Sequence, residues 1–157
     1  MSLTAPHFHD AEIAREFLES KVWPSGPLCP HCGVIDNVYK LESKPESRNQ
    51  LRDGVYKCGG CRKQFTVTVG TIFEDSHIPL HKWLLAIYLM CSGLMCSGLT
   101  GISALQLQRE LWGKDEGKKD KKGRPKIKGS YRTAWFMIQR IRWAMTQMPV
   151  APRAAND

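Results

Sequence analysis

The sequence has no excess of acidic residues and no cluster of carboxylates. Aspartate and glutamate number 15 against 23 lysines and arginines, which gives a formal net charge of +8. The acids are scattered over the chain, whereas two-metal phosphoryl transfer needs several carboxylates that converge on one point. The composition therefore argues against that chemistry, and the basic balance favours an anionic partner such as nucleic acid or a membrane surface.

The sequence also lacks the features of a secreted or membrane protein. Its first ten residues show no positively charged start followed by an apolar run, so we expect no secretory signal. Residues 83–108 carry no formal charge, but glycine, serine, threonine and glutamine interrupt them, and the strongly apolar part covers only about half a membrane span. We therefore expect a cytoplasmic protein without a membrane partner, in a reducing compartment where CxxC pairs bind metal.

Four of the six cysteines form two CxxC pairs. The pair of Cys29 and Cys32 is separated by 25 residues from the pair of Cys58 and Cys61. Each pair turns the chain so that two sulfurs face one point, and two pairs complete a tetrahedral Zn²⁺ shell with no open position. We predict a structural zinc site with these four ligands and no catalytic residues. Two thioredoxin-like redox motifs are the alternative, but the βαβ context that they require is absent.

The pattern of residues predicts an α+β fold, in which a small antiparallel sheet held by the metal is followed by three helices. Apolar residues at helical spacing predict a short helix at 11–18, capped by Asp10. Residues that favour strands predict short strands at 38–41, 55–57 and 65–69. We assign residues 1–27 to an N-terminal helix and linker and residues 28–75 to the zinc-binding sheet.

The second half of the sequence predicts the three helices. The first begins near Pro79 and ends at Gly93, the second ends at Gly113, and the third covers 131–145. Residues 113–130 contain eight basic and three acidic residues and almost nothing to bury, so we expect a solvated loop. We assign residues 79–146 to a helical domain with a basic insertion at 113–130, and residues 147–157 to a disordered tail.

The string CGGCRKQFTVTVGTIFEDSHIPLHKW at residues 58–83, with CPHCG at 29–33, resembles the zinc-ribbon N-terminal region of bacterial insertion-sequence transposases. Residues 101–111 and 131–142 resemble the helix-turn-helix that follows the ribbon in that group. The resemblance therefore implies a zinc-ribbon β-hairpin sheet at 28–75, followed by a helix-turn-helix-like three-helix unit at 79–146. Its members continue into an RNase H-like domain whose carboxylates hold Mg²⁺ for strand transfer, whereas this sequence extends about twelve residues beyond the third helix. The resemblance thus implies a DNA-binding part of a truncated or split transposase that is not an enzyme by itself.

By the resemblance, the helix at 131–145 would lie in the major groove of DNA. The expected groove contacts are Tyr131, Arg132, Thr133 and Gln139, the expected phosphate clamps are Arg140 and Arg142, and further basic contacts are Arg62 and Lys63. For the arginines, an ordinary solvated face is the alternative. The aromatic residues of the helices are expected to pack in the core: Trp83, Trp135, Phe136 and Trp143.

We expect duplex DNA as the partner, with a second copy of the chain or a full-length transposase as further partners and no small-molecule substrate. The competing hypothesis is a protein-interaction module in which zinc only stabilises the scaffold. Salt dependence separates the two, because binding through phosphates weakens steeply as ionic strength rises.

Overall fold

The computed structural model describes residues 3–42, 53–97, 102–119, 125–127 and 129–147. The chain divides into two compact units, Met1–Leu84 and Leu85–Asp157. Apart from Gln147, the tail predicted at 147–157 lies outside the described residues. Within the described part of the chain, no helix has the length and apolar character that crossing a membrane requires.

The first unit begins with a helix whose start is fixed by an aspartate. A short 3-10 helix, Pro6–Phe8, leads into α1, Ala11–Val22. One oxygen of the Asp10 carboxylate accepts hydrogen bonds from the N–H groups of Glu12 and Ile13, at 2.7 and 3.0 Å. Because the first amides of a helix have no partner within it, this carboxylate caps α1, as predicted.

A three-stranded antiparallel sheet follows α1. Its strands, in spatial order, are β1 (Val38–Lys40), β2 (Tyr56–Cys58) and β3 (Gln64–Phe65). Trp23, the residue after α1, meets the rings of Tyr56 and Phe65 edge-on, at centroid distances of 5.1 and 5.9 Å. The N-terminal helix and the sheet therefore share one small core, and the α+β class is confirmed.

The strand predicted at 65–69 is wrong beyond Phe65. The hydroxyls of Thr66 and Thr68 are hydrogen-bonded to each other at 2.7 Å, and the Thr71 hydroxyl donates to the Thr68 carbonyl at 2.6 Å. Threonine hydroxyls that bond to nearby groups in this way offer the backbone an alternative to a strand ladder. The chain turns here while Val67 stays buried.

Helix α2, Leu80–Ser97, is longer than predicted. It starts where expected, and Trp83 is fully buried: its ring meets Phe73 edge-on at 5.7 Å, and its indole N–H donates to the Ser76 hydroxyl at 2.9 Å. The predicted stop at Gly93 is wrong, since the helix continues through it. One glycine inside a helix costs about 1 kcal/mol, a cost that the neighbouring leucines and methionines can offset.

The second unit contains two packed helices, α3 (Ala104–Trp112) and α4 (Tyr131–Gln147). The Ser103 hydroxyl caps α3 by accepting from the Gln106 N–H at 3.2 Å, and Gly113, at φ +67°, ends it as predicted. The apolar side chains that these helices bury are Leu107, Leu111, Ala134, Met137, Ile138 and Ile141. The helix-turn-helix arrangement stays a prediction, because residues 98–101 lie outside the described residues.

Part of the basic insertion at 113–130 forms a β-hairpin. Strand β4, Lys114–Lys119, pairs antiparallel with β5, Pro125–Ile127. The loop predicted here is therefore wrong for these residues, because the backbone groups of polar residues can also pair in an antiparallel ladder. After the hairpin, the Gly129 carbonyl accepts a hydrogen bond from the buried Gln108 side chain at 3.1 Å, which ties this segment to α3.

Candidate metal centre and nucleic-acid interface

The first cysteine pair lies in a tight turn. The Cys29 N–H donates to the Val34 carbonyl at 3.0 Å, and the Gly33 N–H donates to the Cys29 carbonyl at 2.9 Å. Gly33 has a φ of +73°, which residues with a side chain rarely adopt. The glycine directly after Cys32 therefore lets the chain reverse its direction directly after the pair.

The second pair begins at the end of β2. The Cys58 N–H donates to the Lys63 carbonyl at 3.1 Å, and the Gly59 N–H donates to the Asn37 carbonyl at 2.7 Å. A Cβ atom at position 59 would collide with the Asn37 side chain. Glycine at this position therefore allows the second turn to approach the segment that precedes β1, which brings the two pairs together.

The four cysteine sulfurs, those of Cys29, Cys32, Cys58 and Cys61, lie within 4.8 Å of one another. The sulfurs of Cys29 and Cys61 are 3.6 Å apart, and those of Cys32 and Cys58 are 3.5 Å apart. Four thiolates at the usual Zn–S distance of about 2.3 Å stand about 3.8 Å apart at the corners of a tetrahedron. The number, type and spacing of these atoms thus fit one Zn²⁺.

Backbone amides favour the deprotonated form of one ligand. A hydrogen bond from the Cys61 N–H lowers the pKa of the Cys58 thiol to about 7, although burial opposes the shift. At Cys32 the Val34 N–H also favours the thiolate, but hydrogen bonds with the thiols of Cys58 and Cys29 outweigh it and raise the pKa of Cys32 to about 12. Binding of a divalent cation would displace the protons that the four thiols share, because thiolate is the form that binds metal.

Six of the eight residues predicted to contact DNA lie on α4: Tyr131, Arg132, Thr133, Gln139, Arg140 and Arg142. With about 100° of rotation per residue, the side chains of Tyr131, Gln139 and Arg142 fall on one side of the helix. Four of the six are exposed, while Thr133 and Arg140 are half-buried. Solvent reaches all of them, and their contact with DNA stays a prediction.

The other two predicted contacts, Arg62 and Lys63, lie in the first unit, directly after the second cysteine pair. Both side chains are exposed. Arg62 has a φ of +62°, so this residue continues the turn of the pair in the left-handed region. The turn that gathers the sulfurs therefore also presents two cations to solvent. Their contact with DNA stays a prediction as well.

The prediction that the aromatic residues of α4 belong to the core is wrong. Trp135, Phe136 and Trp143 are 49%, 49% and 62% exposed. The buried positions of α4 are 134, 137, 138 and 141, which follow the i, i+3, i+4, i+7 spacing of one helix face. The three aromatic residues fall outside this face, so the helical periodicity of the sequence carried the signal that places them at the surface.

Comparison with known proteins supports the same assignment for the ribbon. Residues 9–64 match the family model described as "Transposase zinc-ribbon domain". An "Uncharacterized protein in transposable element ISH50" from Halobacterium salinarum is 33% identical over 66 residues, which are 42% of this chain and 20% of the relative. The match thus spans about a fifth of the length of that curated relative. No solved structure matches the chain.

These similarities confirm the resemblance to the zinc-ribbon region of insertion-sequence transposases. The matched residues begin at residue 9, so they include α1 as well as both cysteine pairs. The family match and the four clustered sulfurs agree on the cofactor, and the chain is a zinc-binding protein.

Proposed function

We propose that this chain, with its transposase zinc-ribbon domain at residues 9–64, is a zinc-dependent DNA-binding module of an insertion-sequence transposase. It binds duplex DNA and does not catalyse strand transfer by itself. The observation that carries the DNA-binding role is the charge of α4, which has three arginines and no aspartate or glutamate.

The zinc site has a structural role in this proposal. Cys29, Cys32, Cys58 and Cys61 are the ligands, and the metal holds together a unit whose remaining core consists of a few aromatic and aliphatic side chains. Four thiolates leave no open coordination position for water or substrate. The zinc therefore supplies folding free energy to the first unit and takes no part in a reaction.

The arginines of α4 supply the affinity for DNA. Arg132 and Arg142 are exposed, and the Arg140 guanidinium lies 5.7 Å from the centroid of the Phe136 ring, which supports it at the helix surface. Arginine is suited to this role because its planar group can donate two hydrogen bonds to a phosphate or to guanine. Tyr131, Thr133 and Gln139 add polar groups that can reach base edges, while Arg62 and Lys63 add cations beside the zinc site.

A charge-matched pair of variants tests the assignment of α4. Arg142→Ala removes a proposed phosphate contact, and Arg109→Ala removes an exposed charge of α3 that the proposal does not use. We expect Arg142→Ala to weaken binding to every duplex sequence and to reduce the dependence of log K on log salt concentration by about 1. Arg109→Ala should leave that dependence unchanged. Equal effects of the two variants would show that α4 is not the DNA-contacting element.

A further inference from the structure

Four aromatic side chains of α4 stand at the protein surface. Tyr131 is 54% exposed, and Trp135, Phe136 and Trp143 are exposed to a similar extent. Aromatic rings bury large apolar areas when they pack. Four rings that stay in water on one helix therefore do not contribute this burial to the stability of the fold. A soluble helix normally exposes such rings singly, and a group of them indicates a surface that a partner covers.

The spacing of Tyr131 and Trp135 along α4 suits bases that are spread apart. At about 1.5 Å of rise per residue, Tyr131 and Trp135 are offset by about 6 Å along the axis on the same side of α4. Stacked bases of a duplex follow each other at about 3.4 Å along one strand. The offset of the two backbone positions is nearly twice that spacing, so side chains at these positions suit bases that are spread apart better than neighbours in a duplex stack.

The charge around the rings decides which partner can cover them. Arg132, Arg140 and Arg142 lie among the aromatic residues, and α4 carries no acidic residue. Two copies of this face would bring the exposed Arg132 and Arg142 of each copy together, and α4 offers them no acidic residue, which disfavours self-association through this face. Nucleic acid supplies both the anionic phosphates that neutralise arginine and the flat π-faces that stack on aromatic rings.

A groove beside α4 is lined by aromatic and polar side chains that suit a nucleotide. Tyr131, Trp135, Gln139 and Arg142 form one wall, and the start of α3 at Ser103 lies on the other side. Its volume is about 320 Å³, at the lower end of the roughly 300–1,000 Å³ usual for small-molecule sites. The two rings offer stacking surfaces, the Gln139 amide can donate to and accept from a base edge, and the Arg142 guanidinium can bind a phosphate.

From this face we propose that α4 binds unpaired nucleobases of single-stranded DNA, with Tyr131 and Trp135 as the stacking residues. The inference rests on the proposed DNA-binding function and adds unpaired bases to the duplex that the chain binds. In a duplex, both π-faces of an internal base are already covered by its neighbours. A protein ring can stack only on a base whose face is free, as in a single strand or an unpaired end.

Binding of the zinc-loaded full chain to a labelled single-stranded oligodeoxynucleotide and to a blunt duplex of the same length tests this proposal. We expect Trp135→Ala to weaken binding to the single strand roughly 5- to 150-fold, the range for loss of one aromatic stacking contact, and to leave duplex affinity unchanged. Trp135→Phe, which retains a ring, should keep most of the single-strand affinity. Met145→Ala removes an exposed apolar side chain of the same helix that has no ring, and it should have no effect.

Several outcomes would overturn the inference. If Trp135→Ala weakened binding to both DNA forms equally, or to neither, base stacking would be excluded while DNA binding itself stood. If the wild-type chain bound neither form, the proposed function would fail together with the inference. If the chain formed dimers that Trp143→Ala abolished, the aromatic face would be a protein interface.

Discussion

The phenolic hydroxyl of Tyr56 donates a hydrogen bond to the carboxylate of Glu19 at 3.0 Å. Glu19 lies in the last turns of α1, and Tyr56 begins the strand that ends at Cys58. One bond therefore connects the N-terminal helix to the strand that delivers a zinc ligand. The helix belongs to the same unit as the ribbon, in agreement with the family match that begins at residue 9.

Replacing Tyr56 by phenylalanine should destabilise the first unit by about 1–2 kcal/mol, because a half-buried carboxylate loses its donor. Burial, with the hydrogen bond and charge of Glu19, raises the pKa of Tyr56 to about 12. The folded state therefore holds this proton longer than the unfolded chain, whose tyrosine pKa is about 10. The stability from this group is complete below about pH 10 and is lost as the pH rises towards 12.

Chemical unfolding followed between pH 8 and 12 checks this prediction. Wild-type protein should lose more stability above pH 10 than Tyr56→Phe does. Tyr39→Phe is the matched control, because the Tyr39 side chain lies on β1 and is about half exposed. An alkaline loss of the same size in wild type and in Tyr56→Phe would contradict the assignment of the bond.

Removing zinc should unfold the first unit. Structural zinc contributes about 10–16 kcal/mol of apparent binding free energy in small zinc domains, more than the few side chains of this core can replace. We expect one zinc per chain by native mass spectrometry and loss of the metal in Cys58→Ser. Cys91→Ser, at an exposed cysteine outside the cluster, should retain it. A sheet that persists in circular dichroism after chelation would contradict the structural role of the metal.

Gly129→Ala should destabilise the second unit more than Gly113→Ala. Both glycines have positive φ angles, +74° and +67°, so alanine is strained by about 1–2 kcal/mol at either position. At Gly129, however, a Cβ atom would also lie 2.5 Å from the Trp112 ring, whereas nothing lies within 4 Å at Gly113. Urea unfolding of the two variants measures the difference, and equal losses would show that Trp112 moves aside without cost.

Features of the fold that one or two side chains determine could be predicted from the sequence. The Asp10 cap, the end of α3 at Gly113 and the cysteine spacing each follow from the chemistry of one or two side chains. The end of α2 could not be predicted in this way, because a glycine such as Gly93 stops a helix only when the surrounding residues do not favour its continuation.

The predictions made from the sequence include neither the β4–β5 hairpin nor the exposure of the aromatic residues of α4, and the reasons differ. Strands β4 and β5 are paired through backbone groups, which composition does not report, and the run of lysines indicated only solvation. The burial predicted for Trp135 and Trp143 follows from the usual packing of aromatic residues in helices, whereas their positions relative to the apolar stripe of α4 indicate exposure. Ala134 and Ile138 define the buried face, and the two tryptophans lie outside it.

The salt dependence of DNA binding tests the central claim most directly. Affinity of the zinc-loaded chain for labelled duplex DNA would be measured over a series of salt concentrations, beside an Arg140→Ala, Arg142→Ala double variant. We predict that log K falls linearly with log salt, with a slope of about −2 or steeper, and that the double variant reduces the slope by about 2. Binding that is absent or insensitive to salt would contradict the DNA-binding role and would favour a zinc-stabilised protein-interaction module.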